Sequence, residues 1–118
     1  MGNPESIDEQ LRHAIENRQL IEVSYNGKRR VVEPHDYGVH KGVEKLLVYQ
    51  LRSLPPASDR QATGWRLLDV SKIQSCGVLN ESFRGSRGQA HRNHLKWEIL
   101  YARVASSSTT ETTVRSRF

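Results

Sequence analysis

Cysteine is nearly absent. The chain of 118 residues has one, Cys76, which excludes an internal disulfide framework. A reducing cytoplasm is the simplest setting for such a composition. Long apolar runs are absent as well. No stretch approaches the roughly 20 apolar residues of a membrane-spanning helix, and the acidic, polar start lacks the charged-then-apolar pattern of a leader. Hydrophobic residues make up only 36% of the chain and the mean hydropathy is −0.68, so the ordered core has to be small. No internal repeat is visible, and the length fits one domain.

Positive charge is present in excess. Lysine and arginine number 18 against 13 acidic residues, a net charge of +5 and an isoelectric point near 9.7. That balance favours anionic partners such as nucleic acid, nucleotide or phosphate. Ser6-Ile7-Asp8-Glu9 is a capping box, and Ile7, Leu11, Ala14 and Ile15 follow at helical spacing. The pattern predicts a helix over residues 7–18, with His13 on its solvated side. From Leu20 the period changes to two: Ile21, Val23 and Tyr25 share a face. Asn26-Gly27 then predicts a hairpin, rimmed by Lys28, Arg29 and Arg30. Pro34 marks a bulge, an edge or a strand break.

Residues 43–53 form the longest strand-like run and are expected to be the central strand. Val43, Leu47, Tyr49 and Leu51 mark one apolar face, interrupted by Lys45, and Leu46 and Val48 mark the other. A polar loop around Pro55-Pro56 separates it from strands over 64–70 and 73–79, and Phe83 is expected to plug the end of a barrel. Cys76 sits among apolar neighbours and reads as a small buried hydrophobe. Residues 84–88 read as a flexible basic linker. Trp97, Leu100, Tyr101 and Val104 suggest a short amphipathic helix, and Trp97, Ile99, Tyr101 and Arg103 would also suit a strand. His91 and His94 read as basic surface. The Ser/Thr-rich end reads as disordered. The expected architecture is mainly β (α+β): a small five-stranded barrel of the Sm or SH3 type with an N-terminal helix over residues 6–83, a basic linker and amphipathic segment over 84–104, and a tail over 105–118.

The densest chemistry is His35-Asp36-Tyr37-Gly38-Val39-His40. His35 and His40 point to opposite faces of a regular strand, and no tightly spaced third ligand accompanies them, so no metal ion and no cofactor are expected.

The order of signals from Leu11 to Phe83 resembles the WYL domain. The resemblance is carried by Leu20-Ile21-Glu22-Val23-Ser24-Tyr25, Val32-Glu33-Pro34-His35, Gly42 with Leu46-Leu47-Val48-Tyr49, Gly64-Trp65-Arg66-Leu67, and Ser71-Lys72-Ile73. It covers about two-thirds of the chain. It implies an Sm-like barrel that senses a nucleotide or single-stranded nucleic acid in bacterial transcription control or phage defence. Two departures stand out. Glu44-Lys45-Leu46-Leu47 holds no Trp or Tyr where the family signature falls, and Asp69 and Lys72 stand where the family has arginines. Only about ten residues precede Leu11, so a winged-helix DNA-binding part is not expected within this chain, and DNA contact would come through a separate partner.

These readings converge on a non-enzymatic binding module in the cytoplasm, with no membrane partner and with a homodimer as one admissible assembly. Arg66, Lys72, Arg29 and Arg30 are expected on phosphates. Tyr25 and Tyr49 keep apolar-face register and read as packing residues, which leaves Tyr37, in a polar loop, as the stacking contact, with His35 beside it. One alternative is a small hydrolase or nuclease using His35, Asp36 and His40. Another is a protein-interaction module with open barrel edges.

Overall fold

Helix α1 (Ile7–Asn17) begins at the expected capping box: the Ser6 hydroxyl accepts from the Glu9 amide at 3.1 Å, and the Glu9 carboxylate accepts from the Ser6 amide at 3.0 Å. Its stripe of Leu11, Ala14 and Ile15 is buried, and Arg18 ends the helix in the left-handed region. Strand β1 (Gln19–Tyr25) turns through Asn26 and Gly27, at φ 52° and 75°, into β2 (Lys28–His40). A second two-residue turn, Lys41-Gly42 at φ 53° and 77°, leads into β3 (Val43–Leu54). Positive φ at both positions is the twist that tight hairpins require. Next come β4 (Gly64–Asp69), a 3-10 turn (Val70–Lys72) and β5 (Ile73–Ser82). The one-turn helix α2 (Gln89–Arg92) and β6 (Ile99–Arg103) complete the order. This computed structural model describes residues 6–54, 63–93 and 95–106. The Pro55-Pro56 loop, His94 and the tail from residue 107 onward lie outside the described residues.

The fold is mainly β, one antiparallel sheet of six strands ordered β4-β3-β2-β1-β5, with β6 added to β2. The expected central strand, β3, is one place from the middle; β2 is the hub. Along one edge β2 pairs with β3 for nearly its whole length. Along the other it pairs with β1 up to Val32 and with β6 from Asp36 to Val39. Pro34, which has no N–H to give, sits in the gap between those two partners. The β2–β3 register shifts between Pro34 and Asp36, so of the bulge, edge or strand break expected at Pro34 the strand carries a bulge-like irregularity and runs on.

One face of the sheet packs on α1. Leu11, Ala14, Ile15, Ile21, Val23, Tyr25, Val32, Tyr37, Leu46, Val48, Leu68, Ile73 and Val104 form this core. Each buried Val, Leu or Ile side chain here contributes about 1.5–3 kcal/mol. The β3 residues in it are Leu46 and Val48, not the Val43-to-Leu51 face; Val43 is 42% exposed. Among the described residues no helix is long and apolar enough to cross a membrane.

Residues 84–104 do not behave as a linker. The Phe83 amide donates to the Arg18 carbonyl at 2.9 Å, and the Ser86 amide to the Ala105 carbonyl at 3.0 Å. The described residues of this segment are bonded to Glu33 and Asp36 of β2, like a strap, and its last part is strand, not helix: β6 occupies the β2 edge that β1 leaves empty.

Candidate functional site

The strap closes over a polar cluster centred on Asp36, which is 1% exposed. A carboxylate at that depth needs donors for its lone pairs. Oδ1 accepts from His91 Nε2 at 2.7 Å and Arg103 Nε at 3.0 Å; Oδ2 accepts from Trp97 Nε1 at 3.1 Å and an Arg103 terminal nitrogen at 3.0 Å. Burial acts to raise the Asp36 pKa, but the bonds and charges of His91 and Arg103 outweigh it and hold the carboxyl below its ordinary value. Arg103 is correspondingly raised by its bond to Asp36. His91, 2% exposed, is not surface. Its other nitrogen, Nδ1, lies 2.7 Å from the Ser86 hydroxyl, and the Ser86 oxygen accepts from the Gly88 amide at 3.0 Å.

An aromatic layer surrounds this cluster. His35 stands edge-on to Trp65 at 4.8 Å and to His91 at 4.7 Å, and lies 5.6 Å from Phe83. Tyr49 meets Trp65 at 5.3 Å. Arg87 covers the Tyr49 ring at 3.6 Å and forks onto the Glu33 carboxylate at 2.8 and 3.1 Å. His35 is fully buried; Nδ1 donates to the Glu33 carbonyl at 3.0 Å, and Nε2 has no partner. Burial lowers its pKa to about 4.

Beside the strap opens a groove of about 480 Å³, bounded by Glu33, Phe83, Arg84, Ser86 and Arg87. A smaller cavity of about 220 Å³ lies where Ser86, His91 and Arg103 meet. Ser86 borders both.

The residues expected at the site are dispersed. Arg29 pairs with Glu22 at 3.5 Å. Arg30 donates to Gln50 Oε1 at 3.2 Å and to the Tyr25 carbonyl at 3.3 Å, with its guanidinium 5.5 Å from the Tyr25 ring centre. Lys72 pairs with Asp69 at 3.5 Å, and Asp69 also holds Lys45. Arg66 donates to the Trp65 carbonyl at 3.0 Å. Arg30 and Lys72 share the surroundings of Tyr25, whose hydroxyl accepts from the Asp69 amide at 3.0 Å, but none of the six expected residues borders the two cavities above. Tyr37 is not in a loop. It belongs to β2, is 2% exposed, and gives its hydroxyl proton to Asp8 at 2.7 Å, so it offers no stacking face. Burial and that bond raise its pKa. His40 is also apart from Asp36; its Nδ1 donates to the Lys96 carbonyl at 2.9 Å.

Sequence reasoning missed Ser86, His91, Trp97 and Arg103. The available signal was Asp36 itself, an acid in an otherwise buried strand that has to find donors elsewhere in the chain. Among the described residues no group of three or more His, Cys, Asp or Glu is placed to hold a metal ion. No family model, curated protein or solved structure matches the chain.

Proposed function

We propose that this chain is a binding module for a nucleotide-sized anionic ligand, of the Sm-like, WYL-related kind. The helix followed by an antiparallel strand path supports the kinship, and the groove beside the strap supports the ligand. The single observation that carries the reading is that groove. Its volume of about 480 Å³ is in the range of small-molecule sites. Phe83 supplies a ring, Ser86 a hydroxyl and Arg84 a guanidinium that makes no hydrogen bond or ion pair among the described residues. Arg87 is already committed to Glu33 and Tyr49, so Arg84 is the cation left for a phosphate.

Calorimetric titration with nucleoside mono- and triphosphates tests this, with inorganic phosphate and short single-stranded oligomers alongside. Saturable nucleotide binding that weakens roughly tenfold in Arg84→Ala is the expected result, since a charge-assisted bond is worth about 1.5–3 kcal/mol. Binding of oligomers alone moves the reading to single-stranded nucleic acid. Nucleotide binding untouched by Arg84→Ala moves the site away from the groove, and no binding at millimolar nucleotide overturns it.

A further inference from the structure

We propose that Ser86 is an activated nucleophile, with His91 as its general base and Asp36 as the group that orients that base, acting on small esters that carry an anionic acyl group. The geometry decides the proton positions. A carboxylate only accepts, so the hydrogen on the Asp36 side of His91 belongs to Nε2. In the neutral ring Nδ1 is then a bare lone pair, 2.7 Å from Ser86 Oγ, and it accepts the hydroxyl proton. That is the nucleophile–base–orienter chain that serine acyl transfer requires, with each bond inside the working distance.

Three further features suit the role. Ser86 and His91 are five residues apart on one turn of chain, and Asp36 comes from the hub strand, so the orienter stands on the most firmly paired element. The Gly88 amide donates to Ser86 Oγ at 3.0 Å, which fixes the hydroxyl's orientation and leaves one lone pair for attack. Ser86 is part-buried and borders both the larger groove and the smaller cavity, which offers separate places for acyl group and leaving group. Arg84 in the larger groove selects for an anionic acyl group. Arg103 shares the Asp36 carboxylate through two bonds, which keeps it ionised.

In the first step Oγ bonds to the ester carbonyl carbon while its proton passes to His91 Nδ1. The tetrahedral intermediate expels the alkoxide, which takes that proton and leaves as the alcohol, with the acyl group on Ser86. Water then gives a proton to Nδ1 and its oxygen to the acyl carbon. Oγ departs, recovers the proton, and the carboxylic acid is released. No oxidant or further reactant is involved.

The test uses the full chain with a fluorophosphonate probe, read by intact mass and peptide mapping, and with p-nitrophenyl acetate and p-nitrophenyl succinate followed at 400 nm. One adduct on Ser86 is expected, with hydrolysis falling roughly 100-fold or more in Ser86→Ala and in His91→Gln. Arg84→Ala is expected to lower the succinate-to-acetate preference about tenfold. If His91→Gln does not fold, Ser86→Ala against the parent chain decides. An unlabelled parent protein, label on another hydroxyl, or equal hydrolysis in Ser86→Ala overturns the proposal and makes the cluster a clasp for the strap. The proposal shares the groove with the nucleotide reading but not its ligand. Failed nucleotide binding leaves it standing, and failed labelling leaves nucleotide binding untouched.

Discussion

His35 and Asp36 are neighbours in one strand, and burial treats them in opposite ways. His35 is held neutral in an aromatic pocket, with its pKa lowered from 6.5 to about 4 by burial. The unfolded chain takes up a proton below pH 6.5 and the folded chain does not, so the stabilisation from a neutral His35 is complete above pH 6.5. It declines as pH falls and is gone below about pH 4, a loss of up to about 3 kcal/mol. Urea midpoints at pH 7.0 and 4.5 check this: the parent chain is expected to lose stability between them, and His35→Asn to lose much less. Asp36 has its own window. Its pKa lies below the ordinary carboxylate value, so its contribution is present above about pH 4 and is lost only on further acidification. Asp36→Asn removes the charge but leaves Arg103 and the strap without their partner. Arg103 is 42% exposed and water can take up its charge, so the cost is that of the lost charge-assisted bonds, about 1.5–3 kcal/mol, and a thermal melt is expected to show it even at pH 7, where His35 is silent.

At the scale of elements, the join between β2 and β6 depends on a missing side chain. A Cβ built on Gly38 meets the Ile99 carbonyl oxygen at 2.1 Å, and backbone cannot move aside cheaply. Gly38→Ala is therefore expected to push β6 away from β2 and to speed amide exchange in Ile99–Arg103, while the exchange of β1 is kept. Gly77 in β5 has nothing within 4 Å of its Cβ position, so Gly77→Ala is the control and is expected to leave stability unchanged or slightly raised. This contrast also marks where sequence reading succeeds. The Ser6–Glu9 box, the Leu11-Ala14-Ile15 stripe and the Asn26-Gly27 turn act within a few residues, and each is where the local pattern puts it. β6 is different: Trp97 to Val104 suggests a helix and also suits a strand, and the strand is selected by the empty edge of β2 beyond Pro34, a fact about another part of the chain. The candidate site failed to show for the same reason. His35 and Asp36 stood out as residue types, but the partners of Asp36 lie 55, 61 and 67 positions away, and no spacing rule reaches that far.

Over the whole molecule, the strap makes the domain larger than the barrel that the sequence suggests. A boundary after Phe83 divides a single set of contacts. On one side remain Asp36, Glu33, His35, Tyr49 and Trp65; on the other go His91, Trp97 and Arg103 with all four bonds to Asp36, and Arg87 with both bonds to Glu33. Removal of the strap uncovers the aromatic layer and also takes Val104 from the main core. Two acids are then left without their cations against an apolar face, a state that favours partial unfolding over a smaller native fold. A chain ended after Phe83 is therefore expected to keep much of its far-ultraviolet signal from α1 and β1–β5, to lose near-ultraviolet structure at Trp65, and to bind an apolar dye that the full chain ignores. Supplying residues 84–106 as a separate peptide is expected to restore the near-ultraviolet signal, and the Asp36→Asn form of the shortened chain to respond less. A shortened chain that unfolds cooperatively at the same urea midpoint as the full one would instead place the domain boundary at Phe83 and reduce the strap to an accessory.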